Sequence, residues 1–341
     1  MPIDPDLLKQ LDSQDMLGVL QEFPEQLVKA AELGLDIKVN PQPSNIIVTG
    51  MGGSGHPGDM LAAYAQSTGL KIPVFVVRDY EIPGFMSSSS LVFAISYSGN
   101  TEETISSLRS AYKRGLRPVV ITSGGRLRQM AEEYKLPLVV VPSGIQPRLS
   151  LGYMFFPMLN ILAHSGIIKD AHGEMEKAAS FLRHSKVKEQ SFKIAERLVG
   201  KVPLVYASRR MGIAAYIWKI LINECSKTHC FSNVFPEMNH NELNAFGNFT
   251  AKYHAIFLRD EDDHERVRLR MDVSKDMIAK SGVETTDIVL KGNSFLTKLF
   301  TAIYAGMYVS FYLAIMYRTD PSPVPVVEEL KQRLAKKRFI A

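Results

Sequence analysis

The chain has 341 residues, 46% of them hydrophobic, with 40 basic and 35 acidic side chains and a formal net charge of +5. That length carries two medium domains with a sizeable core, and a charged fraction of 22% excludes a disordered or fibrous chain. Two cysteines, Cys225 and Cys230, give neither a disulfide framework nor a four-cysteine metal site. Much of the small positive excess lies in the tail Lys331 to Arg338, read as a solvated helix face rather than a nucleic-acid surface.

Met1 to Gln26 is polar and acidic, without a signal-peptide pattern. Asp4 to Leu33 reads as one or two amphipathic helices broken near Phe23-Pro24, from the helical spacing of Leu7, Leu8, Leu11, Leu17 and Leu20. Buried strands are expected at Ile46–Val48 and Leu91–Ile95, and further strands at Pro73–Val77, Pro118–Ile121 and Leu136–Val141. Helices are expected from about Pro57 to Gln66 and from Glu102 to Arg114. Alternating strands and helices with short loops imply an α/β fold, a doubly wound parallel sheet covered on both faces. Pro142 to Ser150 is a loop, Leu151–Leu162 a buried helix, and Asp170 to Val199 a long charged helix or helix pair joining two domains. The second half repeats the plan: Val202–Tyr206, a helix Ile213 to Cys225, His254–Leu258, a helix from about His264, and Thr285–Leu290. Phe295 to Tyr317 reads as a long core helix, and Val324 to Lys337 closes the chain. Within that region the longest apolar run, Phe311 to Met316, is too short to cross a bilayer, so a soluble cytoplasmic protein is expected. The divisions are 1–40 (helical segment), 41–168 (first domain), 169–200 (helical linker) and 201–341 (second domain).

Two stretches carry the chemistry. Gly50-Met51-Gly52-Gly53-Ser54-Gly55 follows Ile46–Val48, and Ser96-Tyr97-Ser98-Gly99-Asn100-Thr101-Glu102 follows Leu91–Ile95. Each reads as strand, sharp turn and helix start. Glycines permit close backbone approach, N–H groups at a helix start favour an anion, and hydroxyls add neutral donors. Gly-rich turns also serve packing alone, but two hydroxyl-rich turns together read as one phosphate cradle at the carboxyl edge of a sheet. The first lacks the Gly-Lys-Ser/Thr ending of a P-loop and the Gly-x-Gly-x-x-Gly spacing, which favours a phosphorylated small metabolite over a nucleotide. In the second half the corresponding turns are Ser208-Arg209-Arg210-Met211 and Arg259-Asp260-Glu261-Asp262. The glycines are gone and the second turn is acidic, so only the first half is expected to hold phosphate.

Gly52-Gly53-Ser54-Gly55 and Ser96-x-Ser98-Gly99-Asn100-Thr101 resemble the sugar isomerase (SIS) domain. Further segments are similar to the bifunctional phosphoglucose/phosphomannose isomerase family: Pro147-Arg148 with Gly152-Tyr153, Asn223-Glu224, Pro236-Glu237-Met238-Asn239-His240-Asn241-Glu242, and Asp320-Pro321 with Leu330-Lys331. The resemblance implies two SIS domains, each an αβα sandwich, related as an internal repeat, in a homodimer with no metal and no cofactor. It implies that Gly53, Ser54, Ser96, Ser98 and Thr101 hold a sugar 6-phosphate, that Glu224 is the base, that His240 and Lys331 open the ring, and that Arg148 steadies an enediolate. It also implies that His240 comes from the partner subunit. The chemistry suits these side chains: one carboxylate can move a proton between C1 and C2, an imidazole can serve the ring oxygen near neutral pH, and a guanidinium can stabilise an oxyanion. Plainer roles stand beside them. Glu224 could be a surface residue at a helix end, Arg148 a salt-bridge partner and Lys331 a surface lysine. Asn239 and Glu242 could form a helix-capping box, and Cys225, His229, Cys230 and His240 a zinc site of unusual spacing. The alternative functions are an isomerase of an amino-sugar phosphate and a non-enzymatic sugar-phosphate sensor. A partner other than the phosphosugar and a second subunit (nucleic acid or membrane) is not expected.

Overall fold

The computed structural model describes residues 4–335; Lys336 and Lys337, the last residues of the closing helix expected from sequence, lie outside them. The chain forms two compact units. The first comprises Glu22–His184 with Gly292–Thr297, and the second comprises the described residues up to Gln21, Ser185–Lys291, and those from Lys298 onward.

Helices α1 (Pro5–Leu11) and α2 (Met16–Gln21) open the chain, followed by α3 (Phe23–Ala31). Phe23-Pro24 starts a helix here, because proline is tolerated in a first turn where its missing N–H costs nothing. Buried Gln26 holds α3 in the first unit, donating to Leu149 O (2.9 Å) and accepting from Gly152 N (3.0 Å).

The first unit continues as β1 (Asn45–Thr49), α4 (His56–Thr68), β2 (Val74–Val77), β3 (Ser90–Ile95), α5 (Glu102–Lys113), β4 (Val119–Thr122), α6 (Gly125–Glu133), β5 (Leu138–Val140), α7 (Leu151–His164) and α8 (His172–Arg183). Its strands are parallel in the order β2-β1-β3-β4-β5. Both sheet faces are covered, which is why β1 reads as an unbroken apolar run. Ile47, Val92, Ala94 and Val120 lie in the clusters that include Leu108 and Ala111 of α5 and Leu127 and Met130 of α6. Val48 points the other way, against α4 at Gly58.

The second unit contains α9 (Val187–Leu198), β6 (Val202–Ser208), α10 (Gly212–Cys225), β7 (Phe231–Phe235), β8 (Tyr253–Arg259), α11 (Glu265–Lys280) and β9 (Glu284–Val289). Its parallel order, β7-β6-β8-β9, is that of β2-β1-β3-β4, so the internal repeat expected from the strand pattern is present as topology. The charged stretch Asp170 to Val199 is a helix pair, α8 and α9.

Helix α12 (Phe295–Met316) has 22 residues and the length and hydropathy to cross a membrane, contrary to the reading based on the Phe311–Met316 run alone. Its most apolar window is 94% buried inside the protein, which makes it a core helix. Trp218 of α10 lies against Gly306, where a Cβ would sit 2.6 Å from the indole, and donates to Ala302 O (2.7 Å). Helix α13 (Pro325–Ala335) ends the described chain.

His254, at the start of β8, is fully buried, with Nε2 2.8 Å from Thr286 Oγ1 and Nδ1 3.7 Å from the Glu284 carboxylate. Burial, and secondarily the positive charge of Lys201, pull its pKa from 6.5 down to about 4. A histidine neutral in the fold but protonated when unfolded costs stability as pH falls through the unfolded value. Stability is therefore expected to fall between pH 6.5 and about 4, this residue contributing up to about 1.4 kcal/mol per pH unit. In urea titrations at pH 7 and pH 5, His254→Gln should show a smaller pH difference than wild type; an equal difference would remove His254 as the cause.

Candidate functional site

The two glycine-rich turns form one structure at the carboxyl edge of the first sheet. After β1 the chain makes a turn of 3-10 helix, Gly52–Ser54, and enters α4 directly. Buried Ser54 accepts from the backbone N–H of Tyr97 (Oγ···N 2.9 Å), linking the first turn to the second. In the second turn Ser96 Oγ lies 2.9 Å from Thr101 Oγ1 and accepts from Gly99 N (3.1 Å), while Ser98 Oγ accepts from Asn100 N (3.3 Å). Ser98 is exposed and Ser96 fully buried, so the hydroxyls run from the interior to the surface. Thr101 precedes α5, whose first-turn N–H groups lack carbonyl partners within the helix.

Close backbone packing fixes this shape. A Cβ on Gly53 would lie 2.7 Å from Pro147 C and 2.8 Å from Arg148 N, so the Pro147–Leu149 turn rests directly on the first loop. Arg148 is buried there. The structure thus brings Gly53, Ser54, Ser96, Ser98, Thr101 and Arg148 into one cluster within one unit. Sequence reasoning passed over the third member, Thr122–Gly125 after β4. Ser123 donates from N (3.0 Å) and Oγ (2.6 Å) to Tyr97 O, and Arg126 N donates to Asn100 Oδ1 (3.0 Å). Its Thr-Ser-Gly-Gly sequence was the available signal.

At the start of α4, burial and the nearby Arg78 charge pull His56 down to about 3, so a neutral imidazole sits beside the first turn. Arg78 pairs with Asp59 and reaches Gly55 O (3.4 Å).

In the second unit the matching position is filled by the protein itself. Acids after β8 surround fully buried Lys298 of α12, whose Nζ lies 2.8 Å from Asp260 and 2.9 Å from Asp262. Arg210 lies 3.5 Å from Asp260 and 3.4 Å from Asp262. Burial pulls the Lys298 ammonium down, but the two carboxylates outweigh it and hold it above its ordinary value. The acidic loop is thus neutralised by cations of the protein itself.

Glu224 is half-buried one residue before the end of α10. Lys227 Nζ caps this terminus, donating to Glu224 O (2.6 Å) and Cys225 O (3.3 Å). Asn223 Oδ1 accepts from Cys230 N (3.0 Å), which places the helix end beside the start of β7. His240 is exposed in a 3-10 turn, Glu237–His240, beyond the far end of β7. β7 lies between them in the chain and spans about 16 Å at roughly 3.3 Å per residue. Asn239 is not the cap of a helix: Asn241 accepts from Glu242 N (2.6 Å), and the Glu242 carboxylate turns to Tyr206 and Asn233 instead of closing a capping box. Lys331 is exposed on α13, paired with Glu328 (2.7 Å). Among the described residues no three His, Cys, Asp or Glu side chains group as a metal would require, and both cysteines are free and buried.

This architecture and its hydroxyl-lined turn pair define an SIS-domain protein. The model of the SIS domain matches residues 41–142, and that of the bacterial phospho-glucose isomerase C-terminal SIS domain matches residues 187–334. A bifunctional phosphoglucose/phosphomannose isomerase of Caldicellulosiruptor bescii is 38% identical over 94% of this chain and 99% of its own length. One of Aquifex aeolicus is 39% identical over 85% and 90%. Among solved structures, a hypothetical protein of Thermus thermophilus covers 98% of this chain and 94% of its own at TM-score 0.77 and 18% identity, a likeness of fold. The chain belongs to the bifunctional phosphoglucose/phosphomannose isomerase family.

Proposed function

We propose that the protein interconverts glucose 6-phosphate, mannose 6-phosphate and fructose 6-phosphate in the cytoplasm, with neither metal nor cofactor. The observation that carries this is the cradle: two hydroxyl-bearing turns joined through Ser54 and the Tyr97 N–H, with buried Arg148 packed on the first. The 6-phosphate binds to Ser54, Ser96, Ser98, Thr101 and the backbone at Gly53. His240 and Lys331 open the sugar ring by moving a proton between the ring oxygen and the C1 hydroxyl. Glu224 then takes the C2 proton of the open aldose and returns it to C1, while the hydroxyl proton passes from O2 to O1, through a cis-enediolate whose charge Arg148 offsets. C2 is planar in that intermediate, so both epimers reach the same ketose. The β7 spacing supports a homodimer in which each subunit's His240 serves its partner's Glu224, since one chain's pair lies at opposite ends of a strand.

The test is fructose 6-phosphate formation from each aldose phosphate, in parallel, with a chelator present. Turnover of both is expected. Turnover of one alone would narrow the substrate range. Turnover of neither, with sugar phosphate still raising the melting temperature, would favour a sensor.

A further inference from the structure

We propose that Glu242 is a positioning residue that sets His240 for ring opening. This rests on the role given to His240 above. Successive 3-10 turns, Glu237–His240 and Glu242–Gly247, carry His240, and such turns have poor internal hydrogen-bond geometry. Side-chain bonds must therefore hold the segment. Glu242 supplies two of them to two different strands. Its Oε1 accepts from Tyr206 Oη of β6 (2.6 Å) and its Oε2 from Asn233 Nδ2 of β7 (2.6 Å).

Both anchors are rigid. Tyr206 is fully buried, with its ring packed against Phe235 and Phe257. The Asn233 amide is oriented by its own Oδ1, which accepts from Val234 N (2.8 Å). On the other side of His240, Asn239 donates to Ser274 Oγ of α11 (2.7 Å). The exposed imidazole thus stands on a short turn fixed to β6, β7 and α11. Charge-assisted bonds of this length are the strong class of hydrogen bond, and an angstrom of misplacement at a reacting group can cost about a hundredfold in rate.

The bond pattern provides its own rescue. In Glu242→Gln no orientation keeps both bonds: with Oε1 on Tyr206 the Nε2 faces Asn233 Nδ2, donor against donor, and with the amide reversed Nε2 donates to Tyr206 Oη and the hydroxyl hydrogen loses its acceptor. Adding Asn233→Asp restores the contact at residue 233 with donor and acceptor exchanged, keeps the net charge, and leaves an oxygen for Val234 N. The experiment measures kcat and KM on glucose 6-phosphate for wild type, Glu242→Gln, His240→Ala, the pair combined, and Asn233→Asp/Glu242→Gln, with melting temperatures for all.

The expected result is a fall in kcat of about ten- to a hundredfold in Glu242→Gln with KM nearly unchanged. No further loss is expected when it is added to His240→Ala, and most of the rate should return in the exchanged pair. Losses that multiply in the combined variant would show that Glu242 acts independently of His240 and would overturn the proposal, as would normal kcat in Glu242→Gln. Should Glu242→Gln fail to fold, the exchanged pair decides: folded and active supports the proposal, folded and inactive overturns it. Normal turnover in His240→Ala is a different failure, because it removes the ring-opening role itself and the positioning role with it.

Discussion

Glu224→Gln is expected to lower kcat on both glucose 6-phosphate and mannose 6-phosphate by at least about a hundredfold, the smallest usual contribution of a positioned general base. KM should change little. Glutamine keeps the shape of the side chain and cannot take a proton from carbon. The helix end that presents it is held by contacts the substitution leaves alone: Trp218 to Ala302 O (2.7 Å), Ser226 Oγ to Ser310 O (2.8 Å), and Lys227 Nζ to the backbone carbonyl of residue 224 (2.6 Å). Loss of rate then reports chemistry rather than misfolding. The two substrates differ only in configuration at C2, the carbon that gives up its proton. One base serving both requires the two rates to fall together. Exchange of a deuterium label from C2 into water, followed alongside turnover, reads proton removal directly. Near-normal exchange would end the shuttle role, and loss on one epimer alone would call for a second base.

The sheet architecture was legible because its central strands are buried on both faces. Continuous apolar runs such as Ile46–Val48 and Leu91–Ile95 suit strands that both layers of an α/β fold cover. The pair of glycine- and hydroxyl-rich turns was legible for a related reason, since such residues after such strands are locally unusual. What escaped was half-exposed or long-range. β7, Phe-Ser-Asn-Val-Phe, is an edge strand that among the described residues pairs only with β6, so its polar Ser232 and Asn233 broke the apolar pattern. α6 has a charged surface and buries only Leu127, Met130 and Ala131, a spacing of i, i+3 and i+4 that was present but short. Lys298 looked like an interruption of an apolar helix. Its reason lies 38 residues earlier in the chain, at Asp260, and no local pattern links the two. The acidic loop itself was visible, yet its internal cations were not. Likewise the Glu237–Gly247 segment has no periodicity, because its place is set by Glu242 reaching Tyr206, 36 residues away.

Gly99→Ala is expected to damage both stability and anion binding in the first unit. Gly99 has φ +70°, and a Cβ there would sit 1.8 Å from Gly124 O and 2.9 Å from Thr122 Oγ1. Two costs are combined: the left-handed conformation, on the order of 1–3 kcal/mol for a side-chain-bearing residue, and a clash with backbone that cannot swing aside, typically about 1–3 kcal/mol more. Gly69 separates them. It has φ +71° at the end of α4 with nothing near its would-be Cβ, so Gly69→Ala carries the first cost alone. At about 2–4 °C per kcal/mol, Gly99→Ala should melt well below Gly69→Ala, and both below wild type. The functional consequence follows from the same contact. Gly99 N donates to Ser96 Oγ (3.1 Å) and Gly99 O accepts from Leu127 N (2.8 Å), so pushing residue 99 off the third loop moves Ser96 and Thr101 apart. Inorganic phosphate should therefore raise the melting temperature of wild type and Gly69→Ala but not of Gly99→Ala. If phosphate stabilised Gly99→Ala as fully as wild type, the close approach of the second and third loops would be a packing feature and the cradle would not depend on it.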